Sequence, residues 1–257
     1  MRGLLSRPIF AAALGLLLLA AAGTIGFGAW LGYFGGALYA PVPATAAPAR
    51  RNEGLAAVLV SGDMGFKIGM GPRIARRLAD HGIPVLGVNS LVYFRERRTP
   101  AEVRALIADA VRRGLAFGHA RRLLLIGQSY GADMVHVGLT GLPPDLRARL
   151  AMVALVVPTD TVMYRASPAE TLGLVAADAP AIDTARRLDW VPTLCVHGAE
   201  ETDSLCPMLH APNVQVVAMP GGHKLHDDAD GLFARIMAAV DGSSSGMTER
   251  HRVHVGR

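Results

Sequence analysis

The sequence is poor in aromatic residues, in cysteine and in lysine, and the first two shortages exclude whole classes of function. Aromatic residues make up 5% of the 257 residues and form no stripe that alternates with basic residues, which argues against nucleic-acid binding. The two cysteines, Cys195 and Cys206, lack the clustered Cys and His spacing of a zinc site. We therefore expect no metal and no other cofactor.

Lysine occurs only at Lys67 and Lys224, so arginine supplies the other 24 of the 26 basic side chains. Arginine binds phosphate through two parallel hydrogen bonds, and this composition is compatible with contacts to phosphate or to an anionic membrane. Codon bias combined with solvated helix faces is the simpler interpretation. The net charge of +5 by itself assigns no partner.

Charge is absent from residues 8–49, a run of 42 residues. About 20 apolar residues span a bilayer, so residues 9–33 are long enough for a membrane anchor. A cleaved secretory signal also fits, because Arg2 and Arg7 precede the run and Ala20–Ala22 offer a cleavage site. A buried core helix is a third alternative.

The positive-inside rule predicts the orientation of this segment. Arg2 and Arg7 flank the apolar run closely and should stay in the cytoplasm, which places the rest of the chain outside, in the periplasm. We predict an anchor or signal over residues 1–40 and a linker over residues 41–53, which are rich in proline and alanine.

The remainder is predicted to be one α/β domain over residues 54–241, followed by a flexible polar tail over 242–257. Hydrophobic residues make up 51% of the chain and charged residues 18%, which excludes disorder as its main state. Apolar runs alternate with amphipathic helical segments, which predicts a mostly parallel sheet of about six strands with helices on both faces. Residues 158–190 contain no clear strand and should form a lid or minimal cap. The predicted strands are Leu55–Val60, Ile83–Val88, Arg122–Gly127, Ala151–Val157, Thr193–Gly198 and Val214–Met219.

The clearest chemical motif is Gly127-Gln128-Ser129-Tyr130-Gly131, between a predicted strand and a predicted helix. This is the context of a nucleophile elbow, a tight turn with small flanking residues that exposes the serine hydroxyl at the carboxyl end of a strand. We predict that Ser129 is a catalytic nucleophile within an α/β-hydrolase fold.

A serine needs a base to take its proton, and in this fold the order along the chain is serine, acid, histidine. His223, in Gly221-Gly222-His223 after the last predicted strand, is the preferred base, with His226 as its rival. The preferred acid is Asp203, with Glu201 as the alternative. Both candidate acids lie in residues 198–203, here called the acid loop. In an oxidising compartment, a disulfide between Cys195 and Cys206 would link the two sides of this loop.

The oxyanion of the reaction needs two backbone N–H donors. Tyr130, directly after the nucleophile, should provide one of them. The other should come from the loop after the first predicted strand, at Met64 or Asp63.

Several further segments are distinctive in combination: Ser61-Gly62-Asp63, Gly82-Ile83-Pro84-Val85, Asn89-Ser90-Leu91, Tyr93-Phe94, Arg98-Thr99-Pro100, Ile126-Gly127-Gln128-Ser129-Tyr130-Gly131-Ala132-Asp133, Glu201-Thr202-Asp203-Ser204-Leu205-Cys206 and Pro220-Gly221-Gly222-His223. Together they resemble the bacterial VirJ/AcvB family of virulence proteins, over about residues 55–240. The resemblance implies an α/β-hydrolase fold, export to the periplasm, and roles for Ser129 as nucleophile, His223 as base and Asp203 as acid.

The same resemblance implies an activity, because the AcvB branch hydrolyses lysyl-phosphatidylglycerol and VirJ is tied to virulence-associated secretion. We expect Ser129 to attack the lysyl ester of this lipid, and Asp63 and Asp133 to bind its ammonium groups. Another esterase or thioesterase is one alternative function. The other is a non-catalytic binding protein that assists the secretion of virulence factors.

Overall fold

The apolar runs predicted as strands form one main sheet in the computed structural model, which describes residues 6–255 apart from 168 and 170–172. Its strands are β1 Tyr39–Val42, β2 Leu55–Val60, β3 Val85–Val88, β4 Arg122–Gln128, β5 Leu150–Val156, β8 Thr193–Gly198 and β9 Val214–Met219; β6 and β7 lie outside this sheet. Within the described residues the seven strands lie in the order β1-β3-β2-β4-β5-β8-β9, all parallel except β1, which runs antiparallel to β3. This is the predicted α/β-hydrolase architecture.

Helices cover both faces of the sheet, as the near-continuous apolar strands require. The helices are α1 Ser6–Leu31, α2 Met70–Asp80, α3 Ser90–Phe94, α4 Pro100–Phe117, α5 Tyr130–Leu139, α6 Pro144–Arg147, α7 Ile182–Ala185 and α8 Ala229–Val255. Val58 of β2 packs into the core on the face that carries α4 and α5, and its neighbour Leu59 packs into the core on the face that carries α2 and α8.

The sheet begins earlier in the chain than predicted. Residues 39–42 form the edge strand β1, and Asn52 is 2% exposed, so part of the predicted linker 41–53 belongs to the folded domain. The strand is four residues long and contains Pro41, which has no N–H and is tolerated because an edge strand pairs on only one side. Because the strand is short and contains a proline, the search for apolar runs did not predict it.

The chain also ends differently from the prediction. Helix α8 continues to Val255, so residues 242–255, predicted as a flexible tail, are helical. Once a helix is nucleated, each residue that it adds gains a backbone hydrogen bond that offsets the entropy of ordering it, and no proline interrupts this polar segment.

A small cap covers part of the carboxyl edge of the sheet. Two short antiparallel strands, β6 (Thr161–Val162) and β7 (Ala179–Pro180), lie with α7 in the segment for which a lid or minimal cap was predicted. The backbone N–H of Arg98 donates to the backbone carbonyl of Tyr164, and this hydrogen bond connects the cap to the loop before α4.

Helix α1 contains the apolar run. Its residues Ile9–Leu31 form a stretch of 23 residues that is long and apolar enough to cross a membrane, none of it buried against the domain within the most apolar window. A signal sequence near the N-terminus has the same properties.

Candidate active site

Ser129 lies in a sharp turn between β4 and α5. Its φ of 53° and ψ of −127° place a non-glycine residue in a strained region of backbone space, at the N-cap of the helix. A Cβ atom at Gly131 would lie 2.2 Å from the carbonyl oxygen of Val60, and one at Gly127 would lie 2.5 Å from the Cα of Ala132. The flanking glycines are therefore required by contact with the neighbouring backbone, which is the geometry of a nucleophile elbow.

His223 lies directly against this serine. The Oγ atom of Ser129 is 2.7 Å from Nε2 of His223, and Nδ1 of His223 is 2.7 Å from Oε1 of Glu201. In the tautomer that satisfies both contacts, Nδ1–H donates to the carboxylate and Nε2 accepts from the serine hydroxyl. The structure thus brings a serine hydroxyl, an imidazole and a carboxylate into one hydrogen-bonded chain, which is the geometry of a catalytic triad.

Glu201, and not the preferred Asp203, is the carboxylate in contact with His223. The Glu201 side chain is 4% exposed, and its Oε2 accepts the backbone N–H of Gly198 at 2.6 Å. Asp203 lies two residues further along the loop, where its backbone carbonyl accepts the N–H of Asp160 at 2.8 Å, and it lines the adjacent cleft. The prediction failed because the acid loop turns back at once, through a hydrogen bond from Glu201 N–H to the Gly198 carbonyl.

Two features fix the relative position of the acid and base loops. A Cβ atom at Gly198 would lie 2.4 Å from the carbonyl oxygen of Gly222, so the loops approach each other as closely as their backbones allow. Cys195 in β8 is bonded to Cys206 just after the acid loop, as the sequence suggested. The rival base, His226, packs its imidazole beside Gly221 and makes no contact with the serine in the described hydrogen bonds.

The residues expected to form the oxyanion hole surround Ser129. Tyr130 is the first residue of α5, where the helix dipole favours negative charge. A Cβ atom at Gly62 would lie 3.7 Å from the Cβ of Ser129, which places the loop of Asp63 and Met64 beside this serine. Both of these residues line the cleft.

Ser61 and Ser90 hold that loop, and no role was predicted for either. The Ser90 hydroxyl donates to the Ser61 carbonyl at 2.6 Å, and the Ser90 N–H donates to the Ser61 hydroxyl at 3.0 Å. Both are buried. The only signal in the sequence was their presence in two of the segments that resemble the VirJ/AcvB family.

Asp133, expected to bind substrate, is engaged within the protein. It is 4% exposed, and its two carboxylate oxygens accept from the backbone N–H and the hydroxyl of Thr159, each at 3.0 Å. Burial raises the pKa of Asp133 well above its usual range. The nearby His136 is fully buried, and burial lowers its pKa to about 3, so its imidazole is neutral at physiological pH.

The cleft in front of Ser129 has a volume of about 850 Å³ and lies at the carboxyl edge of the sheet. Its walls come from the loop after β2, from the cap and from the His223 loop, and they carry both signs of charge: Asp63, Asp203 and Asp227, with Arg165 and Lys224. Among the described residues, no three His, Cys, Asp or Glu side chains are grouped to hold a metal ion.

In fold the chain resembles solved α/β-hydrolases. Proline iminopeptidase from Mycobacterium smegmatis matches with a TM-score of 0.55 at 12% identity, over 81% of this chain and 95% of that one. MenH from S. aureus matches with a TM-score of 0.54 at 10% identity, over 81% and 99%. An esterase from Pyrococcus furiosus matches with a TM-score of 0.53 at 13% identity, over 79% and 91%. Identities this low establish the fold and not the substrate.

No curated protein matches the sequence. Residues 54–243, however, match the family described as bacterial virulence protein (VirJ). The match covers the sheet from β2 onward, together with Ser129, Glu201 and His223, and it confirms the resemblance found in the sequence. The chain is therefore a member of the VirJ family of bacterial virulence proteins.

Proposed function

We propose that this protein is a serine hydrolase that cleaves the aminoacyl ester of lysyl-phosphatidylglycerol at the periplasmic side of a membrane. The observation that carries the hydrolase assignment is the chain of contacts from Ser129 through His223 to Glu201, with both distances at 2.7 Å. A binding protein has no need of this arrangement, which costs backbone strain at the serine.

In the proposed reaction, each residue of this contact chain has a role. Nε2 of His223 takes the hydroxyl proton while Oγ of Ser129 bonds to the lysyl carbonyl carbon, and the oxyanion is held by backbone N–H groups at Tyr130 and in the Asp63–Met64 loop. The bond to the glycerol oxygen of the lipid then breaks, and that oxygen takes the proton from His223, which releases phosphatidylglycerol. Water attacks the lysyl-serine ester by the same route, which releases lysine and restores the serine. Glu201 orients the imidazole and stabilises its cationic form.

The charges of the cleft support a cationic acyl group on an anionic lipid. Asp63, Asp203 and Asp227 line the cleft and can pair with the two ammonium groups of a lysyl ester. Arg165 and Lys224 line the same cleft and can pair with the lipid phosphate. Asp133 is not assigned to the ammonium groups, because both of its carboxylate oxygens already accept from Thr159. Helix α1, retained as an anchor, would keep the enzyme at the membrane of its substrate.

Lysine release from phosphatidylglycerol vesicles that contain lysyl-phosphatidylglycerol tests the proposal. The Ser129→Ala chain should lose at least about 10³-fold in rate, because the nucleophile is gone. Thr140→Ala, which removes a hydroxyl just after the opposite end of α5, is the matched control and should retain the wild-type rate. Equal rates for wild type and Ser129→Ala would overturn the hydrolase assignment.

The substrate is tested separately from the chemistry. A fluorophosphonate should label wild type at Ser129 and leave Ser129→Ala unlabelled. If the probe labels Ser129 and the protein hydrolyses simple esters or thioesters but not lysyl-phosphatidylglycerol, the protein is a hydrolase with a different substrate. No labelling would favour a binding protein.

A further inference from the structure

The C-terminal end of α1 is packed against the domain at the candidate active site. Leu31 is 4% exposed, and its carbonyl accepts from the side-chain amide of Asn89 at 3.5 Å. The Lys67 ammonium donates to the carbonyl of Trp30 and lies 5.2 Å from the centroid of that indole ring. Asn89 follows β3 and Lys67 follows β2, so both contacts come from loops at the carboxyl edge of the sheet.

The path of the chain places α1 at the same edge. Strand β1 is antiparallel to its neighbour, and its first residue, Tyr39, pairs with Val88, the last residue of β3. The chain therefore enters the sheet from the edge at which Ser129 lies. Only residues 32–38 separate α1 from β1, a connection too short to carry the domain far from the helix.

The loop that lines the cleft touches the end of α1 directly. A Cβ atom at Gly65 would lie 3.2 Å from the carbonyl oxygen of Leu31. Gly65 and its neighbour Met64 both line the cleft in front of Ser129. One loop thus contacts the candidate membrane helix on one side and forms the wall of the active site on the other.

The surface around this contact has the chemistry of a membrane interface. Trp30, Phe34 and Met64 are 50%, 63% and 44% exposed, which is unusual for large apolar side chains grouped at one edge of a domain. Two exposed cations lie near this surface: Lys67 contacts Trp30, and Arg165 lines the same cleft as Met64. Aromatic side chains at the end of a spanning helix, together with nearby cations, are typical of contact with anionic headgroups.

We propose that the mouth of the active-site cleft opens onto the surface of an anionic phospholipid bilayer, with Met64 in contact with the headgroup layer. The 23 residues Ile9–Leu31 form about 34 Å of helix, enough to cross a hydrocarbon core of about 30 Å, which puts Leu31 at the bilayer surface. The Met64 loop, in contact with Leu31, then lies at the same depth. This inference rests on the proposed function to the extent that α1 is kept as an anchor and the substrate is a lipid.

Depth-dependent fluorescence quenching tests the placement without using activity. The full chain is reconstituted into phosphatidylglycerol nanodiscs, and an environment-sensitive fluorophore is attached to Met64→Cys or, as the control, to Asp145→Cys. Asp145 is exposed and lies in α6, which precedes β5 and therefore belongs to the opposite edge of the sheet. Lipids brominated near the headgroup should quench the probe at 64 several-fold more than the probe at 145. Equal quenching at the two positions would overturn the proposal.

Two further measurements separate this proposal from the proposed function. Quenching at position 64 should persist in the Ser129→Ala background, where hydrolysis is lost. Strong quenching without lysine release supports the membrane contact of the cleft and contradicts lysyl-phosphatidylglycerol as the substrate. Lysine release without quenching contradicts the membrane contact and leaves the substrate proposal standing. Recovery of the membrane-associated or secreted chain without α1, shown by its intact mass, would also overturn the placement.

Discussion

The turn at Ser129 and the loop after β8 that carries Glu201 show two ways of placing a side chain in the candidate active site. At the turn, Gly131 lies against the carbonyl oxygen of Val60, so sterics leave the backbone one path and Ser129 one position. In the acid loop, three carboxylates follow within six residues of β8, and a hydrogen-bonded turn at Gly198 selects Glu201 among them. The first constraint is visible in the sequence because it demands glycines, while the second depends on how the loop folds.

The largest expected effect tests which carboxylate the acid loop supplies. Glu201→Gln should lower kcat by about 10⁴-fold, because the amide cannot stabilise the imidazolium and favours the wrong tautomer of His223. Asp203→Asn, on the same loop but without contact to the imidazole, should change kcat less than about tenfold. Rates on a soluble ester measure both, and a larger loss for Asp203→Asn would return the acid role to that residue.

The next effect tests the steric constraint at the turn. Gly131→Ala should lower the free energy of unfolding by about 3 kcal/mol, since its Cβ would lie 2.2 Å from a backbone oxygen that cannot move freely. Gly222→Ala, whose Cβ would meet nothing within 4 Å, should change it by less than about 0.5 kcal/mol. Urea unfolding of the detergent-solubilised chains provides the comparison. Similar losses for the two variants would mean that the elbow tolerates a side chain.

The smallest effect concerns the covalent link across the acid loop. Replacing both Cys195 and Cys206 with alanine should cost about 2–3 kcal/mol of stability, because the loop closed by the bond is short. The reductant dithiothreitol should lower the stability of wild type by a similar amount and leave the double variant unchanged. If reduction of the wild-type bond left both stability and esterase rate unaltered, the bond would play no part in holding the loop.

Much of the fold followed from local patterns. The apolar runs of β2, β4 and β8 were predicted almost to the residue, because a strand buried on both faces must be apolar throughout. The edge strand β9 was also predicted, although it is only partly buried, because its sequence is still mostly apolar. Strand β1 was missed because a four-residue edge strand with a proline has no such pattern. The cap was anticipated only as a segment without clear strands, since its two-residue strands are formed by contacts distant in sequence.

The residues of the candidate site likewise fall into those that local motifs identify and those that depend on contacts distant in sequence. Ser129 and His223 could be identified from glycine-rich motifs next to strands, and the structure brings their side chains together. Asp133 could be identified as a residue near the nucleophile, but its hydrogen bonds to Thr159 cross 26 positions of the chain and leave no local trace. Ser61 and Ser90 pair across 29 positions, and no spacing rule links them.

What the sequence by itself determined is the α/β-hydrolase fold, the position of the serine turn and the presence of an apolar N-terminal helix, because each depends on steric or hydrophobic patterns within a few consecutive residues. Only the tertiary structure decided that Glu201 contacts the imidazole, that Asp133 is occupied by Thr159, and that α1 ends against the loop beside the cleft. These outcomes depend on which distant backbones approach one another, and that is set by the packing of the whole sheet.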